Sequence, residues 1–214
     1  MLDTIKGFLF HLDEALGPLA SDLGFWIYIL LFLIIFLETG IILMAFLPGD
    51  TLLFAMGILA AEPELSINIY ILNVLVIAAA VTGNLTNYYI GHRFGRKMIR
   101  SGKIPFVKSK SIESAEDFYN KYGSTAVIIS RFLAYIRSFI PFVAGIGRMN
   151  LRRYVLYSMV GAVLWSTSLT LIGYYLGEIP LVREHLGQFI TVLIILPLLP
   201  IVVAVLKKWL SKHS

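Results

Sequence analysis

No cysteine occurs in this chain, which excludes both a disulfide framework and a thiolate metal site. Charge is scarce: 14% of residues are Asp, Glu, Lys or Arg, against about 25% in a soluble domain. Hydrophobic residues make up 58% and the mean hydropathy is +0.82, so an integral membrane protein is expected. The four histidines, His11, His92, His185 and His213, lie far apart with no acidic cluster at ligand spacing. No metal site and no cofactor are therefore expected. None of the histidines falls in an apolar segment, where a lipid phosphatase would need its acid-base group, and Asp50 is a lone intramembrane aspartate where an aspartyl protease needs two. Enzymatic activity is not expected.

The N-terminus also lacks the basic start of a secretory signal, having three acids and one lysine in its first 16 residues. Leu2, Ile5, Leu9, Leu12 and Leu16 share one helical face, so residues 1–24 read as a retained amphipathic segment lying in the membrane interface.

Long apolar runs are what the chain does have. Residues 69–91, 154–176 and 188–206 each approach or exceed the roughly 20 residues that cross the hydrocarbon. The connection 92–110 carries seven Lys or Arg and no acid, 148–153 carries three, and the tail 207–214 carries three. By the positive-inside rule these are cytoplasmic, while residues 1–24 (net charge −3), 62–68 (two acids) and 177–187 (net −1) lie outside. Topogenic charge accounts for the basic connection, with attraction to anionic headgroups as a second role. No nucleic-acid partner is expected. Residues 111–122 form a short amphipathic surface helix.

With that sidedness, 124–147 begins and ends in the cytoplasm yet is too short to cross twice, so it enters and turns back. Residues 25–61 begin and end outside and are broken by Gly40, Pro48, Gly49 and Gly57, giving a deep hairpin or two short crossings. The expected fold is all-α and polytopic: two inverted repeats, each a re-entrant hairpin followed by a span, plus a C-terminal span, in one domain over 25–206. This is a transporter plan. Glu38 precedes Pro48 by ten residues as Arg131 precedes Pro141, and Tyr88-Tyr89-Ile90-Gly91 is echoed by Tyr174-Tyr175-Leu176-Gly177.

Four charges interrupt the apolar segments: Glu38 and Asp50 in the first hairpin, Arg131 and Arg137 in the second. An ionisable residue in lipid marks a functional site by default, because it costs roughly 2.5–3.5 kcal/mol to insert. On a regular helix Arg131 and Arg137 point about 120° apart, so they share a target only where the helix bends or ends. Pro48 with Gly49, and Pro141 with Gly145, are the expected break points. Half-helix ends and the planar arginine fork suit a phosphate. A buried carboxyl favours its neutral form and a neighbouring guanidinium its charged form, which lets anion binding move a proton. The plainer alternative is that the four form structural ion pairs.

The stretches FLETGIILMAFLPGDTLLFAMGILA (36–60), TGNLTNYYIGHRFG (82–95) and RFLAYIRSFIPFVAGIGRMNLRRYVLYSMVGAVLW (131–165) resemble the DedA family over about Phe25 to Leu206. The resemblance implies a bacterial inner-membrane protein, kin to eukaryotic autophagy lipid scramblases, with two opposed re-entrant hairpins. It also implies an acidic pair at Glu38 and Asp50 and an arginine pair at Arg131 and Arg137. Asn84 stands where many members carry an acid, Ala134 replaces a common proline, and Ser158 replaces a frequent Asn; Asn84 is thus an accessory polar candidate.

The function so implied is proton-coupled flipping of undecaprenyl phosphate from the outer to the inner leaflet. Arg131 and Arg137 would hold the phosphate and Glu38 and Asp50 would gate or carry protons. The partners are membrane lipids and protons, and the C-terminus is cytoplasmic. The alternatives are a less selective phospholipid scramblase and a proton-coupled small-cation antiporter. Gly145-Ile146-Gly147 and Ala78 to Ala80 suit helix packing within the chain or between copies in a homo-oligomer.

Overall fold

The computed structural model describes residues 25–42, 49–65, 67–100, 109–133 and 136–184. These residues form helices α1 (Phe25–Gly40), α2 (Gly49–Ala60), α3 (Ile69–Arg100), α4 (Ser109–Tyr122), α5 (Ala126–Ile129), α6 (Ile140–Ile146), α7 (Leu151–Gly177) and α8 (Pro180–Glu184), joined in places by short 3-10 turns. Among the described residues there is no strand. The expected interfacial segment 1–24, span 188–206 and tail 207–214 lie outside the described residues.

Among the described residues two helices are long and apolar enough to cross a membrane, Ile69–Gly95 within α3 and Leu151–Gly177, each 27 residues. Both carry an exposed apolar face, with Tyr70, Ile71 and Val74 on α3 and Leu156, Leu164 and Ile172 on α7. That outside suits lipid and would be unfavourable in water.

Helix α3 corrects one boundary. The apolar run ends at Gly91, but the helix continues to Arg100, so the first nine residues of the expected 92–110 connection are helical. Hydropathy locates the membrane edge and not the last hydrogen bond; His92 to Arg100 contains no proline and is rich in helix formers. Likewise α7 begins at Leu151, inside the expected 148–153 connection. There the Asn150 carboxamide oxygen accepts a bond from the Arg153 amide at 3.3 Å, as an N-cap does. The amphipathic helix expected at 111–122 forms as α4, from Ser109.

The first segment is interrupted between Gly40 and Gly49, whereas the second breaks at Leu133, ahead of the expected Pro141 and Gly145, which both lie within α6. Helix α1 stops at Gly40 and α2 starts at Gly49, with Asp50 in its first turn, where the helix dipole favours an acid. Pro48 lies outside the described residues. In the second segment α5 gives way to a 3-10 turn at Ser130–Phe132, then to extended Leu133. Pro141 occupies the first turn of α6, where its missing N–H costs nothing. Helix α6 closes with two C-terminal bonds, Met149 amide to Ala144 carbonyl at 3.0 Å and Arg148 amide to Gly145 carbonyl at 3.1 Å. This is the Schellman arrangement, with Arg148 in the left-handed position usually held by glycine, at φ 52°.

The chain divides into two compact units. In the unit made of Met1–Ile27, Pro48–Ile69 and Leu169–Ser214, α2 lies backbone to backbone on the last part of α7. A methyl group on Gly57 would come within 3.1 Å of the Gly173 Cα. In the unit made of Tyr28–Leu47 and Tyr70–Ser168, a core of Tyr88, Ala115, Val127, Phe142, Val143 and Tyr154 joins α3, α4, α5, α6 and α7. The Tyr88 and Tyr154 rings stack with centroids 4.5 Å apart. Gly91 lets α3 meet the Phe142 backbone, and Gly145 lets α6 meet the Tyr88 carbonyl.

Candidate functional site

Three of the four intramembrane charges converge in the second unit. Glu38, 1% exposed, sits two residues before the end of α1, and one oxygen of its carboxylate accepts a bond from the Arg137 guanidinium, forming a buried ion pair. Arg137, 10% exposed, follows the extended break after Phe132 and stands in the turn before α6. The helix does end between the two arginines, as sharing a target requires.

Arg131 is placed differently. It is 5% exposed and, among the described residues, donates only to neutral oxygens: the Ala80 carbonyl at 3.3 Å and the Ser158 hydroxyl at 3.4 Å, both long bonds. Its Nε makes no hydrogen bond among the described residues. Among the described residues no carboxylate forms an ion pair with it. Room for its side chain comes from Gly161 on α7, where a methyl group would lie 3.2 Å from the Arg131 Cδ.

Trp165 unites the two arginines and was not singled out by the sequence. It is buried on α7, and the guanidinium carbons of Arg131 and Arg137 each lie 5.8 Å from its ring centroid. That is within reach of a cation–π attraction, strengthened by desolvation. Immediately after Trp165, the Ser166 hydroxyl donates to the Asn73 carboxamide oxygen at 2.7 Å, tying α7 to α3.

Asn84 completes the polar set. Its amide donates to the Ser158 hydroxyl at 3.2 Å, while the Tyr154 hydroxyl donates to the Asn84 carbonyl at 2.9 Å. The Ser158 oxygen thus receives a bond from each side, Asn84 and Arg131. An amide at 84 adds no negative charge, so among the described residues of this unit two arginines and one glutamate leave one positive charge in excess in the cluster.

Asp50 belongs to the other unit, half-buried in the first turn of α2. Gly49 is buried beside it. Pro141 and Gly145 are both buried in α6.

Outside the spans, Tyr119 on α4 has its hydroxyl pushed above the ordinary tyrosine range by burial, an effect the Arg153 charge opposes. It has no part in the arginine cluster.

Comparison with known proteins adds the lineage. The VTT domain model matches residues 47–175. The chain is 38% identical to "Protein DedA" of Escherichia coli over 200 residues, 94% of this chain and 91% of that protein. It is 36% identical to "Uncharacterized membrane protein ML0287" of Mycobacterium leprae over 171 residues, 80% of this chain and 76% of that one. With "Inner membrane protein YqjA" of Escherichia coli the identity is 32% over 176 residues, covering 82% and 79%. No solved structure matches the chain. Domain match and relatives agree, and the chain belongs to the DedA family of membrane proteins, which carry the VTT domain.

Proposed function

We propose that this protein transports a lipid phosphate across the bacterial inner membrane, moving undecaprenyl phosphate from the outer to the inner leaflet with proton coupling. The observation that carries this reading is Arg131: a buried guanidinium that, among the described residues, bonds only to neutral oxygens, beside a second arginine already matched by Glu38. A site with one positive charge in excess and little water favours an anion, and a guanidinium fork matches phosphate oxygens. The same excess disfavours the small-cation antiporter. The polyprenyl tail needs no protein pocket, because the exposed apolar faces of α3 and α7 leave it in the bilayer.

An inverted repeat of re-entrant hairpins is the architecture this reading uses, and the packing supports it. The first arm of each broken segment lies on the span that follows it, Gly40 against Gly83 and Ile128 against Gly161. The second arm lies on the C-terminal half of the other span, Gly57 against Gly173 and Gly145 against Tyr88. In this scheme the basic connections and the C-terminus face the cytoplasm. Glu38 takes a proton when phosphate draws Arg137 away, and Asp50 serves as a second carrier; no covalent chemistry is required.

Transbilayer movement of undecaprenyl phosphate in proteoliposomes tests the proposal. Arg131→Ala should abolish movement and Arg131→Lys should retain part of it, because a lysine keeps the charge but not the fork. Equal movement in native and Arg131→Ala protein would refute the reading. Equal rates for the carrier and for phosphatidylethanolamine would replace it with a less selective scramblase.

A further inference from the structure

Asn87 lies on α3, fully buried, three residues beyond Asn84. Its side-chain amide nitrogen donates twice, to the Thr39 carbonyl at 3.3 Å and to the Ser138 carbonyl at 2.7 Å. Thr39 is the penultimate residue of α1, where backbone carbonyls run out of helical partners. Ser138 sits in the turn that leads into α6. Both neighbours are acceptors, so only the N–H side of the carboxamide can face them. The Asn87 Oδ1 is thereby turned away and, among the described residues, accepts no hydrogen bond.

Thr39 immediately follows Glu38, and Ser138 immediately follows Arg137. One side chain on an unbroken helix therefore holds the two broken segments at the residues adjoining the ion pair. A leucine would fill the same space without leaving a buried oxygen unmatched. Volume alone does not account for an amide at this position.

We propose that Asn87 is a positioning residue for transport: a two-pronged clamp that sets the ends of the broken segments in register so that Glu38 and Arg137 meet. Release of either prong lets the pair part when phosphate arrives. The inference rests on the transport reading above for its purpose, though not for its geometry.

The test replaces Asn87 with Leu, which keeps the volume and removes both donors; Asn87→Asp, which puts acceptors where donors stood, gives the same reading should the leucine variant not fold. The absence of native cysteine allows spin labels at cysteines introduced for Leu33 and Ile129, both exposed in the second unit. The expected result is a broadened label distance. The transport rate should fall about tenfold, the scale of two lost hydrogen bonds. The apparent KM for lipid should change little, since Arg131 is untouched. A native distance distribution in Asn87→Leu would overturn the clamp. If the native chain moves no lipid phosphate, the transport reading fails while the label distances still decide the geometry.

Discussion

Removing Glu38 should destabilise the protein far more than removing Arg137, although they are partners in one ion pair. With Glu38→Gln, Arg137 keeps its charge in a site only 10% exposed, and no accessible pH neutralises a guanidinium. Breaking a buried pair from one side costs about 3–5 kcal/mol, a large part of the 5–15 kcal/mol that holds a typical domain. At about 2–4 °C per kcal/mol for a chain of this size, the melting temperature should fall by about 6–20 °C. With Arg137→Gln the stranded group is a carboxyl, which escapes most of the penalty by binding a proton. In the double variant two amides face each other with no stranded charge, and most of the loss should be recovered. Thermal unfolding of the four proteins in one detergent, followed by fluorescence, measures this directly. If Glu38→Gln melts with the native protein, or if the double variant is less stable than either single one, the pair is not what joins these segments.

Four further outcomes follow from the same geometry. Asn84→Asp places a carboxylate across Ser158 from Arg131 and cancels the excess charge, so binding of a lipid phosphate should weaken at least about tenfold in equilibrium titration, by loss of one charge-assisted contact; unchanged binding would refute the charge count. Trp165→Leu should weaken the same binding by about 0.5–2 kcal/mol, with Trp165→Phe between, as expected for lost cation–π attraction. Gly145→Val puts a side chain where a Cβ would meet the His92 nitrogen at 2.8 Å, and should lower stability by about 1–3 kcal/mol, read as a lower melting temperature. Arg148→Gly should raise stability by about 1 kcal/mol, because glycine takes the left-handed position without strain; an unchanged or lower melting temperature would show that the Arg148 side chain compensates elsewhere.

The charged members of the site were legible because charge is rare in this chain: Glu38, Arg131 and Arg137 stand out against apolar neighbours in any reading. The break between the arginines was not legible: it falls at Leu133, no proline or glycine stands between Arg131 and Arg137, and Pro141 lies beyond both at the start of α6. Nor were Trp165 and Asn87. A tryptophan or an asparagine in a span has many uses, and what distinguishes these two is the backbone and the guanidinium groups brought to them from 28 to 51 residues away in sequence. The helical continuation to Arg100 was hidden for another reason, because polarity changes at the membrane edge whereas helix formation depends on the backbone. The division of Glu38 and Asp50 between separate compact units was also out of reach, since it depends on where α1 and α2 pack and not on their spacing.

The backbone-to-backbone contacts at Gly57 with Gly173 and at Gly91 with Phe142 have a mechanical consequence. Helices that interlock through side chains move past one another only when ridges lift out of grooves and rotamers rearrange. Where Cα atoms face carbonyl oxygens there are no ridges to lift and no rotamers to change, and weak C–H···O contacts can be exchanged one at a time. Such surfaces are bearings, on which a broken segment can pivot against a continuous helix with little friction.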